Sequence, residues 1–151
     1  MSLPLTTEGV IYEDTEDHWA REYVATATKY GYMIGISETL FAPDWPIPRE
    51  QVIAVILRVL TFGYDVVNPG TQKSKTSDEI LELVKEHFGY TYVDISDEIT
   101  DINSGSDWAR AYVEMAYTHD LVEGYTDHTM RPLTNATRAE AVVIAKRALW
   151  K

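Results

Sequence analysis

The sequence predicts an all-α protein, helix–loop–helix units around a central bundle of three helices. Two observations lead there: the chain repeats itself, and the repeated segments space their apolar residues as helices do. Sliding the sequence by 89 positions lays Trp19-Ala20-Arg21 on Trp108-Ala109-Arg110 and Tyr23-Val24 on Tyr112-Val113. The same shift pairs Ala27 with Ala116, Gly35 with Gly124, Pro43 with Pro132, Arg49 with Arg138, Arg58 with Arg147 and Leu60 with Leu149, without a gap. Tryptophan, glycine, proline and arginine dominate the matches, which makes chance a poor explanation.

In the first copy Trp19, Tyr23 and Ala27 recur every four residues beside Ala20 and Val24, the apolar stripe of an amphipathic helix over residues 17–30 that stops near Gly31. Trp108, Tyr112 and Ala116, with Ala109 and Val113, repeat the stripe, so both tryptophans are expected in the core. A loop follows in each copy. It carries Gly35 or Gly124, expected at a turn needing positive φ, and a stiffening Pro43 or Pro132 eight residues on. Glu38 or Asp127 lies between.

The second helix of each copy begins at Pro48 or Thr137. Thr137-Arg138-Ala139-Glu140 has capping-box spacing, with Thr137 capping the N–H three residues on and Glu140 reaching back. Residues 52–60 and 141–149 are apolar over most of the helix circumference, so both helices are expected at the centre of the domain. Between the copies, Asn68-Pro69-Gly70 opens a turn and a polar loop that runs to Lys75. Ser77 is positioned to cap a helix over residues 78–88 with Ile80, Leu81, Val84 and Phe88 as its apolar face, ended by Gly89. The expected organisation is one domain over residues 1–151: a first repeat at 12–60, a one-helix spacer at 61–91, and a second repeat at 92–149.

A chain of 151 residues can bury a core without metal or disulfide. With no cysteine, thiolate zinc sites, iron–sulfur clusters and cysteine nucleophiles are excluded. With 24 acids against 13 Lys and Arg the formal charge is −11, which disfavours a nucleic-acid partner. Hydrophobic content of 45% with ten tyrosines and four tryptophans is too high for a disordered acidic tail. No run approaches the ~18–20 apolar residues of a membrane span, so no membrane insertion is expected. Residues 1–9 have neither a basic region nor an apolar run of the signal-peptide kind. The charge is unevenly spread: residues 8–22 hold six acids and one arginine, and residues 131–151 five bases and one glutamate.

Catalytic and metal signatures are weak. His18, His87, His119 and His128 form no zinc spacing. Asp101-x-Asn103-x-Gly105-x-Asp107 hints at a calcium loop, but Tyr112 stands where the twelfth-position glutamate belongs and the sixth-position glycine is absent. A glycosidase carboxylate pair can be assembled on paper from so many acids. Runs such as Glu13-Asp14-Thr15-Glu16-Asp17 are more often solvated faces or helix N-terminal charges. No catalytic residue, metal site or cofactor is expected. Trp45, in a loop, suits a sugar platform or a packed anchor equally, and Trp150 is expected to be structural.

Taken in order, the motifs resemble the S-layer homology repeat of bacterial surface proteins. That pattern is an aromatic-x-Asp, a Trp-Ala opening a helix, a Gly-x-x-Asp-x-x-Phe-x-Pro loop and a Thr-Arg-Ala-Glu opening a second helix. The first copy offers Tyr12-Glu13-Asp14, His18-Trp19-Ala20, Gly35, Phe41, Pro43 and Pro48-Arg49-Glu50-Gln51. The second offers Tyr92-Val93-Asp94, Trp108-Ala109, Gly124-Tyr125-Thr126-Asp127, Met130, Pro132 and the complete Thr137-Arg138-Ala139-Glu140. The first copy departs from the last motif by Pro48 and Gln51. The second carries about nine extra residues before Trp108.

The resemblance implies an extracellular, noncatalytic module attached to secondary cell-wall polysaccharide, often bearing pyruvate ketals. It implies Arg138 and Arg49 as ligand contacts, since a pyruvate carboxylate calls for a guanidinium. At a helix N-terminus, exposed N–H groups add to the attraction for an anion. Gly35, Gly124, Asp127 and Trp45, in the loops, would line the same sites. Pairing with nearby carboxylates is the competing role for both arginines. Two rival functions are a degenerate structural or assembly module, for which a homo-oligomer is the expected form, and a carbohydrate-active enzyme.

Overall fold

A computed structural model describes residues 5–8, 11–30, 32–62 and 76–149, with the side chains of Arg138 and Leu149 outside the description. The expectations for Gly31, for residues 68–75 and for Trp150 also lie outside it. Among the described residues there are five α-helices: α1 (Arg21–Lys29), α2 (Arg49–Phe62), α3 (Ser77–Phe88), α4 (Arg110–Thr118) and α5 (Arg138–Leu149). Short 3₁₀ turns lie at Glu13–Thr15, Ile102–Ser104 and Asp107–Ala109. Among the described residues the fold is all-α, and the one β-type pairing is an isolated antiparallel bridge between Pro48 and Asn135. No helix among them is long and apolar enough to cross a membrane.

The chain divides into two compact units, Met1–Trp45 with Phe62–Ile80, and Pro46–Thr61 with Leu81–Lys151. The second unit is built on one apolar cluster: Val52, Ile53, Ala54 and Leu57 of α2, Val84 of α3, Tyr112, Val113, Met115 and Ala116 of α4, and Ile144 of α5. Ile95, Ile99, Ile102, Leu121, Val122 and Met130 join it from the connecting segments. In the first unit α1 buries Val24, Ala25, Thr26 and Thr28.

Two devices set the starts of three helices. α5 has the expected capping box: the Glu140 N–H donates to Thr137 Oγ1 at 3.1 Å and the Thr137 N–H to Glu140 Oε2 at 2.8 Å. α3 has one as well, but its cap is Thr76 rather than Ser77: the Thr76 N–H donates to Glu79 Oε2 at 2.6 Å and the Glu79 N–H to Thr76 Oγ1 at 3.2 Å. At α2, where Pro48 and Gln51 replace the box, main chain does the work. The Arg49 N–H reaches Thr134 O at 2.9 Å and the Glu50 N–H reaches Pro132 O at 3.0 Å.

Three expectations change. Trp19 and Trp108 are exposed, not core. Trp108 lies in a 3₁₀ turn and Trp19 precedes α1, so the 3.6-residue stripe does not extend back to either. Tyr112, Val113 and Ala116 are buried as the stripe predicts, whereas Tyr23 is exposed. Gly35 and Gly124 do not have positive φ; Gly89, which ends α3, does, at 59°. They are glycine because of close approach: a Cβ on Gly35 would lie 2.4 Å from Tyr12 Cε1, and one on Gly124 2.6 Å from Ile99 Cδ1. Finally, α2 is buried over most of its surface, but α5 exposes Val142 and Val143.

The structure also moves the start of the second copy. Asp14 accepts the N–H of Phe41 (3.0 Å to Oδ1) and of Ala42 (2.7 Å to Oδ2). The equivalent N–H groups, of Met130 and Arg131, donate to Asp101 Oδ1 at 2.6 Å and Oδ2 at 2.8 Å. Ile99 and Asp101 therefore occupy the positions of Tyr12 and Asp14, while Tyr92 is exposed and Asp94 caps Ser96. The supposed nine-residue insertion shrinks to two, because Asp14 precedes Trp19 by five residues and Asp101 precedes Trp108 by seven.

Removing the Asp101 carboxylate strands two N–H groups, so Asp101→Ala is expected to cost about 2 kcal/mol. Asp94→Ala should stay within about 0.5 kcal/mol. Urea unfolding of both variants checks the assignment, and equal losses would overturn it.

Candidate functional site

In the second unit the residues around Gly124 converge on Tyr125. The Arg49 guanidinium lies 5.2 Å from the centre of its ring and that of Arg131 4.0 Å, so two cations face one aromatic ring. The Tyr125 hydroxyl donates to Glu140 Oε1. Arg49 Nη1 donates to the same oxygen at 3.2 Å, and its Nη2 reaches Glu123 O at 3.3 Å. Arg49 is buried, and its Nε has no partner.

The outer edge is exposed. Arg131 Nη2 pairs with Asp127 Oδ2 at 2.9 Å and its Nε contacts Thr129 Oγ1 at 3.1 Å. Thr129 donates its hydroxyl to Asp127 Oδ1 at 2.6 Å. Held first by the Thr129 hydroxyl and then by Arg131, the Asp127 carboxyl is pulled down to about 2. Glu140 is also lowered, chiefly by the Tyr125 hydroxyl and then by the Thr137 N–H, while the same contact raises Tyr125. In the first unit the Phe41 N–H is the main cause holding Asp14 below the ordinary carboxylate range. A lowered carboxyl favours the fold above its unfolded pKa, and that contribution disappears as pH falls through the folded value.

Of the six residues picked from sequence, Arg49, Gly124 and Asp127 are brought around Tyr125. Arg138 opens α5 in the same unit, with its side chain outside the description. Gly35 and Trp45 belong to the first unit, where Trp45 is exposed. The competing role named for Arg49, pairing with a carboxylate, is observed with Glu140. Arg131 was missed: it matches Ala42, an ordinary loop residue, so the repeat gave no cue. Both residues adopt left-handed backbone, with φ of 52° and 60°. Asp101, in the stretch that hints at a calcium loop, accepts a backbone N–H on each of its oxygens. Among the described residues no group of three His, Asp or Glu is placed to hold a metal ion.

The S-layer homology domain model matches residues 11–53 and 98–142, more than half of the sequence. The chain belongs to the S-layer homology domain family. The second match begins at residue 98, in line with Ile99 and Asp101 as the start of that copy. Membership makes it a cell-surface module associated with the cell wall. The chain is similar to the middle cell wall protein of Brevibacillus brevis, 32% identical over 116 residues, 74% of this chain and 11% of that protein. It is similar to the cellulosome-anchoring protein of Acetivibrio thermocellus, 37% identical over 51 residues, 34% of this chain and 11% of that protein. An endoglucanase of Bacillus sp. (strain KSM-635) is 26% identical over 151 residues, all of this chain but 14% of the enzyme. The chain thus spans between about a tenth and a seventh of these relatives.

With Asp127 lowered to about 2, its carbon-detected NMR titration should have its midpoint there. Thr129→Val and Arg131→Ala should each move the midpoint up toward the usual aspartate value. An unmoved midpoint in both variants would contradict the geometry.

Proposed function

We propose that the chain is a noncatalytic anchor that binds secondary cell-wall polysaccharide, including polymers bearing pyruvate ketals, and so holds a parent protein at the wall. The observation that carries this reading is the double match to a wall-associated family, with the same carboxylate-held loop in both copies. The two repeats and the stretch between them act as one module. Arg138 is the leading ligand contact: it stands at the start of a capped helix, where N–H groups and a guanidinium attract the same carboxylate. Arg49 has the matching position in the first copy, but its guanidinium is already held by Glu140 and the Glu123 carbonyl. It shapes the surroundings of Tyr125 more than it meets the ligand. The loops of Gly124 and Asp127, and of Gly35 with the exposed Trp45, supply sugar contacts.

Co-sedimentation with purified wall polysaccharide tests the reading, with an established anchoring module as positive control. Loss of a charge-assisted contact should weaken binding about tenfold or more in Arg138→Ala. Arg49→Ala should weaken it less, while lowering thermal stability. Wild-type protein that stays in the supernatant under conditions where the control sediments would end the proposal.

A further inference from the structure

The two copies differ in what they leave uncovered, and the differences are complementary. In the second unit, α2 of the first repeat covers the first helix of the second. Arg58 lies over the Tyr112 ring at 5.2 Å and donates from Nε to the Tyr112 hydroxyl at 3.1 Å. Tyr112 is 1% exposed, as are Ile53 and Ala54 on α2. The same positions one repeat away are open. Tyr23, the counterpart of Tyr112, is 57% exposed, and Trp19 beside it is 81% exposed. Val142 and Val143, the counterparts of Ile53 and Ala54, are 67% and 50% exposed. Ile36, the counterpart of Tyr125, is exposed too.

We infer that the Trp19–Tyr23 face of α1 in one copy of this chain receives the Val142–Val143 face of α5 from a second copy, repeating the α2–α4 packing of the second unit. The counterpart of Arg58 is Arg147, in the last turn of α5. It would cross the Tyr23 ring of the neighbour as Arg58 crosses Tyr112. At present it pairs with Glu123 at 2.9 Å, and the Glu123 side chain is largely exposed, so little is lost in exchanging that partner. Charge favours this occupant over a like-charged one. Residues 8–22, leading into and opening α1, hold six acids against one arginine, and residues 131–151, including all of α5, hold five bases against one glutamate. An acidic head therefore meets a basic tail. The contact joins two different patches, so it is heterologous and propagates into a ring or a filament rather than stopping at a two-fold dimer.

Sedimentation equilibrium of the full chain, without polysaccharide, tests this apart from any wall binding. Wild type should rise above monomer mass between about 10 µM and about 1 mM, and its association should weaken about tenfold from about 0.05 M to about 0.5 M salt. The head variant Trp19→Ser/Tyr23→Ser and the tail variant Val142→Glu should each be monomeric. All three changed side chains are exposed, and circular dichroism checks that the folds are kept. Mixed one to one, the two variants retain one intact head and one intact tail, so they should form a dimer that does not grow. Val143→Glu provides an independent tail variant. Three results would overturn the inference: wild type monomeric at about 1 mM, either variant still associating alone, or a mixture that stays monomeric. The first of these would be the outcome if another repeat of a longer parent covers these faces instead.

Discussion

One interaction organises each repeat: a carboxylate that accepts two successive backbone N–H groups across the loop. Asp14 holds Phe41 and Ala42, and Asp101 holds Met130 and Arg131. The second residue of each pair sits in left-handed backbone, which costs a non-glycine residue about 1–2 kcal/mol. A charge-assisted hydrogen bond to that residue's own N–H offsets the strain where it arises. The glycine upstream serves the same closure. Gly35 lies against Tyr12 and the Leu40 carbonyl, and Gly124 against Ile99 and the Thr129 carbonyl, so each loop folds back on the residue two positions before its clamping aspartate. Everything the loop presents depends on this closure.

From the closed loop of the second copy the architecture of its unit follows. Once Asp101 fixes residues 130–131, the next carbonyls, of Pro132 and Thr134, are placed to receive the first N–H groups of α2. That substitutes for the capping box which Pro48 and Gln51 removed. Glu50 is then fully buried and accepts from the Ser106 N–H and hydroxyl at 3.0 and 2.6 Å. Gly105 leaves room for it: a Cβ there would come 3.0 Å from the carboxylate. A helix start that lost its local cap survives because a neighbouring segment supplies acceptors, and that dependence ties α2 to the second repeat.

Much of the fold was legible because helix starts and apolar periods are local signals. Thr137 and Glu140 mark the start of α5, and Ile80, Leu81 and Val84 mark the inner face of α3. What was not legible depends on non-local pairing. Tyr92-Val93-Asp94 matches an aromatic-x-Asp by composition, yet only the hydrogen bonds to Met130 and Arg131 identify Asp101 as the clamp. An isoleucine in the aromatic position hid the true motif. The helical period points to burial of Trp19 and Trp108, but the turns that carry them are not α-helical. Arg131 gained its role from the fold of a loop that sets it beside Tyr125, and no periodicity reports that.

The uneven charge ties the site to the rest of the molecule. The acids near α1 largely face water, as exposed carboxylates do, and repel polyanions in general. The bases are more localised: Arg131 stands beside Tyr125 and Arg147 near Glu123, each held by a carboxylate that is itself substantially exposed. Such pairs contribute little to stability because solvent screens them. They do set the Arg131 and Arg147 guanidinium groups beside a carboxylate at the surface. Arg49, buried under the same tyrosine, is held differently: its guanidinium donates to Glu140 and to the Glu123 carbonyl, and losing the Glu140 contact would leave a buried charge without its counter-ion. The structure thus separates two kinds of arginine around one ring, a buried one fixed by Glu140 and a solvent-screened one at its edge.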